Sequence, residues 1–176
     1  MSPPANHEAT FQTWIEEHRG IFVKVARSFV RGENDAAELQ QEMMFQLWLS
    51  LPRYAGQSKP STWIYRVCLN TALTWRRGAK RRESRIEPEV DISRLSADAA
   101  TPADLAGNKD LLEQLYSALQ AMQESDRALV LLMLDGLAYR EMAEVTGLTE
   151  NHVGVALTRA RKRLATLLKG VTDELE

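Results

Sequence analysis

The stretch EMAEVTGLTENHVGVALTRARKRL, residues 141–164, decides the architecture of this chain. Met142, Ala143 and Val145 give a short helix one apolar side, and Gly147 stands where a left-handed cap ends a helix without Cβ strain. Leu148 is expected to pack into the corner, and Thr149 is a good N-cap for a second helix. The buried stripe of that helix would be Val153, Leu157, Ala160 and Leu164. Two helices with a glycine turn and a small residue at their approach form the signature of a helix-turn-helix, the second helix being the reader. Its outward residues are Asn151, His152, Val155, Thr158, Arg159 and Lys162, candidates for base edges, with Arg161 and Arg163 better placed for phosphates. The same spacing also fits an αα-hairpin with a solvated basic face, and His152 alone reads as a surface residue rather than a metal ligand.

Upstream, apolar residues recur at helical spacing through Leu111, Leu112, Leu115, Leu119 and Met122, then Leu129, Val130, Met133 and Leu134. A helical domain over 107–176 is therefore predicted. Between residues 83 and 106 the pattern fails: Pro88, Pro102, scattered acids and small residues predict a flexible acidic linker. Before it, Phe11, Trp14, Ile15, Phe22, Val25 and Phe29 lead to Leu39, Met43, Leu47 and Leu51, then to Ile64, Val67, Cys68 and Trp75. These predict a second helical domain over 10–82, preceded by a disordered tail over 1–9. Pro52, Gly56 and Pro60 mark an internal loop, after which Ser61 or Thr62 can cap the next helix. No segment has a convincing period of two, so the fold class is all-α.

The net charge of −2 argues against a nucleic-acid partner until its distribution is considered. Residues 76–85 carry a local charge of +5 and residues 86–110 one of −4, with a second basic cluster at 159–163. Such asymmetry is more informative than the total. The longest apolar run, Ala128–Leu134, is far too short to span a bilayer, for which roughly 20 residues are needed. No secretory signal is visible at the N-terminus, and the single cysteine, Cys68, reads as a small core residue, so the expected location is the cytoplasm. No two glycines lie closer than the seven positions from Gly147 to Gly154, which excludes phosphate-binding glycine loops and the nucleophile elbow. With three scattered histidines and no HExxH or CxxC, neither enzymatic activity, a metal nor a cofactor is expected.

The segment STWIYRVCLNTALTWRRGAKRR, residues 61–82, interleaves aromatic and basic groups. Trp63, Arg66, Asn70 and Arg77 fall close to one helix face, opposite Ile64, Cys68 and Trp75. An aromatic ring beside guanidinium groups can stack an unpaired base and hold its phosphate. Trp75 reads as core, whereas Trp63 fits core or platform. In NDAAELQQEMMFQLW, residues 34–48, Asp35 and Glu38 suit the helix N-terminus. Gln41, Glu42 and Phe45 stand on a side distinct from the Leu39, Met43 and Leu47 stripe, which is a solvated face or a protein-docking one.

These three blocks, in this order, resemble the extracytoplasmic-function (ECF) class of sigma factors in the bacterial sigma-70 family. The resemblance covers residues 10–82 and 107–168. It implies a promoter-specificity subunit that binds core RNA polymerase and directs initiation at minus-35/minus-10 promoters. Asp35, Glu38, Gln41, Glu42 and Phe45 would grip the clamp of the largest polymerase subunit, and the second domain would meet the flap. Tyr54, Gln57, Ser58 and Lys59 of the loop, with Trp63, Arg66, Asn70 and Arg77, would melt and hold the minus-10 element. Asn151, His152, Val155, Thr158, Arg159 and Lys162 would read the minus-35 element, and the acidic linker would thread toward the RNA channel. An anti-sigma factor is the implied regulatory partner, with no direct membrane insertion by this chain. The alternative from the residues alone is a stand-alone helix-turn-helix regulator that binds duplex DNA without polymerase.

Overall fold

Glycine or proline stands just past the ends of α1, α2, α5 and α6, at Gly32, Pro52, Gly136 and Gly147. The computed structural model describes residues 5–83 and 103–173, and the body of the acidic linker, 84–102, lies outside them. The described helices are α1 (Ala5–Phe29), α2 (Glu33–Ser50), α3 (Pro60–Glu83), α4 (Ala103–Ala121), α5 (Glu124–Leu134), α6 (Tyr139–Thr146) and α7 (Glu150–Asp173), with a 3-10 turn at Leu51–Arg53. No strand occurs among the described residues. Gly32, at φ 93°, separates α1 from α2, a backbone conformation that costs glycine nothing.

Several boundaries differ from the sequence-based expectation. Residues 5–9, read as tail, form the first turns of α1, which bends at His18 (φ −117°, ψ 18°). Residues 103–106, read as linker, open α4. Pro60 is itself the first residue of α3, where its missing N–H costs no helical bond. Ser61 and Thr62 are therefore inside the first turn rather than capping it, and Trp63 N–H bonds to Lys59 O at 3.1 Å.

The first helical unit packs α1, α2 and α3 around Phe22, Val25, Leu39, Met43, Leu47, Ile64 and Cys68, all at 0% exposure. Each such side chain stabilises the fold by about 1.5–3 kcal/mol relative to leaving it in water. Burial also pushes the Cys68 thiol up, so it stays protonated. The second unit closes around Leu119, Leu129, Leu132, Met142, Val153 and Leu157. Leu111 and Leu112, expected in that stripe, stand outside it at 62% and 41% exposure, and among the described side chains of α4 burial begins around Leu115 and Tyr116.

The two units share one hydrophobic cluster, with α1 against α4 and α3 against α6. Asp135, just past α5, accepts from both Lys24 and the Tyr65 hydroxyl. Burial, and then that carboxylate, push the Tyr65 phenol far up, so it remains a donor at any physiological pH. Gln120 of α4 donates to Arg27 O and Val30 O, which satisfies carbonyls at the end of α1. Arg127 does the same for α4: its Nε donates to Leu119 O at 2.7 Å and its NH2 to Gln120 O and Met122 O at 2.8 Å. Its guanidinium lies 4.8 Å from the Phe29 ring centroid, across the boundary between the units.

Candidate nucleic-acid interface

Helix α7 is built as the sequence spacing predicts. Gly147 adopts φ 75° and its N–H closes α6 on Ala143 O at 2.9 Å. The Thr149 hydroxyl accepts from His152 N–H at 3.3 Å, and Val153 N–H bonds to Thr149 O at 2.9 Å. Val153, Leu157 and Ala160 are fully buried and Leu164 is nearly so. Leu148 departs from expectation: it is 40% exposed, the corner between α6 and α7 being closed by Met142, Val145 and Val153. The six outward residues, Asn151, His152, Val155, Thr158, Arg159 and Lys162, are all exposed.

Arg159 is more than a free cation on that face. Its NH2 lies 3.1 Å from an oxygen of Asp126, whose side chain is 4% exposed against 69% for Arg159. A buried carboxylate at the start of α5 thus fixes one edge of the guanidinium while the rest of the fork stays in solvent. Fixing the fork lowers the entropy lost when it meets a base or phosphate. Arg161 Nε contacts Met133 Sδ at 2.9 Å, which holds that side chain along α5.

The loop before α3 forms the second feature. Arg53, Tyr54, Gln57, Ser58, Thr62, Trp63 and Arg66 line a cavity of about 310 Å³, and Glu144 of α6 reaches its edge. Trp63 is half-buried: its Nε1 donates to Ser50 Oγ at 3.1 Å, anchoring one edge in the core, while the residue also lines the cavity. Trp63, Tyr54 and Trp14 form an edge-to-face chain, with centroids 5.5 and 4.8 Å apart. The Tyr54 hydroxyl donates to Ser58 O at 2.6 Å and so shapes the loop, while the residue also lines the cavity.

Lys59 bonds to Glu141 of α6 at 2.7 Å, and the Glu141 carboxylate also accepts from Ala138 N–H at 2.9 Å. Lys59 first, and that N–H second, hold the Glu141 carboxyl below the usual carboxylate range. A carboxyl with a folded pKa below its unfolded one contributes stability above the unfolded value, and that contribution is lost as pH falls through the folded value. Glu141→Gln is expected to flatten the stability profile below about pH 5. Urea midpoints measured across that range check this, and superimposable profiles would contradict it.

The face expected on α3 is divided. Trp63 and Arg66 line the loop cavity, whereas Asn70 lies in a neighbouring groove with Glu42, Gln46, Thr71, Thr74 and Trp75. Arg77 is exposed on the same helix and lines neither. On α2, Asp35, Glu38 and Gln41 are exposed, Glu42 accepts from Gln46 at 2.8 Å, and Phe45 is 54% exposed. Leu49, one turn further along that face, is 49% exposed, and the sequence reading had missed it. An apolar residue at i+4 from the outward Phe45 is the signal that could have found it. Among the described residues no group of His, Cys, Asp and Glu could hold a metal ion, and no helix is long and apolar enough to cross a membrane.

Residues 14–82 match the family Sigma-70 region 2, and residues 112–164 match Sigma-70, region 4. The ECF RNA polymerase sigma factor SigG of Mycobacterium tuberculosis (strain ATCC 25618 / H37Rv) is 27% identical over an alignment covering 98% of this chain and 52% of that protein. The chain thus spans about half the length of that relative. RNA polymerase sigma factor SigV of Bacillus subtilis (strain 168) is 27% identical, covering 92% of this chain and 93% of that one. Among solved structures, the sigma factor RpoE in complex with the anti-sigma factor NepR from Bartonella quintana superposes with a TM-score of 0.68 at 19% identity, covering 91% of this chain and 97% of that one. CnrH in complex with the cytosolic domain of CnrY gives 0.64 at 22% identity, covering 93% and 90%. These two establish a shared fold.

Proposed function

The chain belongs to the sigma-70 family, in its ECF class, and we propose that it is a promoter-specificity subunit that binds core RNA polymerase and directs initiation at minus-35/minus-10 promoters. The observation behind this reading is that one chain has both an open basic reader helix, α7, and an aromatic-lined cavity beside α3 suited to an unpaired base. A regulator that binds only duplex DNA has no use for the second. Asn151, His152, Val155, Thr158, Arg159 and Lys162 read the minus-35 duplex. Gln57, Ser58, Lys59, Trp63 and Arg66 capture the minus-10 strand, with Tyr54 holding the loop in shape and Asn70 and Arg77 continuing the path along α3. Asp35, Glu38, Gln41, Glu42 and Phe45, joined by Leu49, dock on the polymerase clamp, and the second unit meets the flap.

In this role the chain performs no chemistry of its own and works in the cytoplasm, where the polymerase is. An anti-sigma factor is its proposed regulator, acting by covering the α2 face. Co-elution with core RNA polymerase, displaced by a housekeeping sigma factor, tests the assignment. A folded chain that ignores core yet shifts duplex DNA by itself would overturn it in favour of a stand-alone regulator. Arg159→Ala is expected to weaken minus-35 duplex binding about tenfold, the effect of one lost base or oriented phosphate contact, with core affinity unchanged. Equal loss of both activities would contradict the division of labour between α7 and α2.

A further inference from the structure

The middle of the reader face is apolar. Val155, at 68% exposure, is the most exposed of the large hydrophobic residues described, and it sits in a helix whose outward groups are otherwise polar or basic. Gly154 beside it has no side chain, and the Tyr139 ring from the start of α6 fills that space: a Cβ at position 154 would lie 3.4 Å from Tyr139 Cε2. Tyr139 itself is 43% exposed. One turn on, the Thr158 hydroxyl donates to Gly154 O at 2.9 Å, so its hydrogen-bonding proton is engaged by the backbone and unavailable to a base. Isolated surface valines are ordinary and need no explanation. This one is an exposed apolar spot on a helix that faces solvent, with Asn151 and Arg159 one turn away on either side and Lys162 two turns on.

In the major groove the apolar group that a base presents is the 5-methyl of a pyrimidine, which thymine has and cytosine lacks. Resting on the proposed function of α7, we infer that Val155 determines specificity by contacting the 5-methyl of a thymine in the minus-35 duplex, with Tyr139 and the Thr158 methyl completing its surroundings. The basic residues around Val155 favour a polyanion as occupant, which a protein or lipid apolar surface would not match. Polar reading falls to Asn151 and Arg159 on either side. Val155 adds discrimination at one base pair through burial of a methyl group rather than through a hydrogen bond.

The test uses the full chain assembled with core polymerase and a duplex selected from a library randomised across the minus-35 region. Each thymine of the selected element is replaced in turn by deoxyuracil, which removes only the methyl. Wild type is expected to lose about fourfold in affinity at one position, the effect of burying one methyl group. Val155→Ala is expected to bind the thymine and deoxyuracil duplexes alike at that position. Its helix content should be unaltered, since the side chain is exposed and alanine favours the helix. At the same position 5-methylcytosine should exceed cytosine by a similar factor. A preference over cytosine that thymine and deoxyuracil share equally would overturn the methyl contact in favour of the O4 carbonyl acceptor that both bases carry. Indifference to every deoxyuracil, or discrimination that survives in Val155→Ala, would overturn the inference while leaving the sigma assignment intact. Failure of the assembly to select any duplex would remove both.

Discussion

Phe45→Ala combined with Leu49→Ala is expected to weaken association with core RNA polymerase about a hundredfold, the equivalent of roughly 3 kcal/mol. The two side chains stand one helical turn apart on α2, at 54% and 49% exposure, beside Glu38, Gln41 and Glu42. Apolar groups half open to water gain by being covered, and a central apolar anchor within a polar rim is the usual energetic centre of a protein interface. Because neither residue belongs to the core, thermal stability should change by less than about 0.5 kcal/mol per substitution. Competition against a housekeeping sigma factor for core gives the affinity, and a melting curve gives the stability. Wild-type competition by the double variant would move the docking surface off this face of α2.

Arg127→Ala should destabilise the fold by about 3 kcal/mol, or roughly 10 °C in Tm. The side chain is 1% exposed and its fork supplies donors to Leu119, Gln120 and Met122 carbonyls, so truncation leaves the end of α4 unsatisfied in a dry setting. Burial, and then the nearby Arg76 cation, push its guanidinium down to about 10, so it is still charged at neutral pH. Arg127→Lys keeps the charge but not the planar fork, and is expected to recover less than half of the loss. Urea titration of the three proteins checks the order, and equal stability of the lysine variant and wild type would show that charge alone is required.

The parts of this molecule that were legible in the sequence are those governed by neighbouring residues. Gly147, Thr149 and the Val153, Leu157, Ala160 stripe declare the helix-turn-helix because capping and helical periodicity act within a few positions. The division of the α3 face was not legible. Trp63 and Asn70 share a helix side, yet which cavity each enters depends on where α2 and the preceding loop lie. The buried Asp126 that orients Arg159, and the Asp135 that meets Tyr65 and Lys24, join residues far apart in the chain, and no local pattern announces them. The start of α1, expected as tail, lies in a stretch that contains nothing to prevent a helix from Ala5 onward.

Lys59 bonded to Glu141 has a thermodynamic consequence for the proposed capture of the minus-10 strand. A cation that leaves a protein carboxylate for a phosphate exchanges one anion for another, and the carboxylate left behind gathers ions from solution as the phosphate sheds them. Each such exchange removes about one unit from the number of ions released on binding, so the logarithm of promoter affinity should fall with the logarithm of salt concentration less steeply than the phosphate contacts alone imply. Neutralising Glu141 should restore the missing steepness, which makes the ion pair countable from a salt titration.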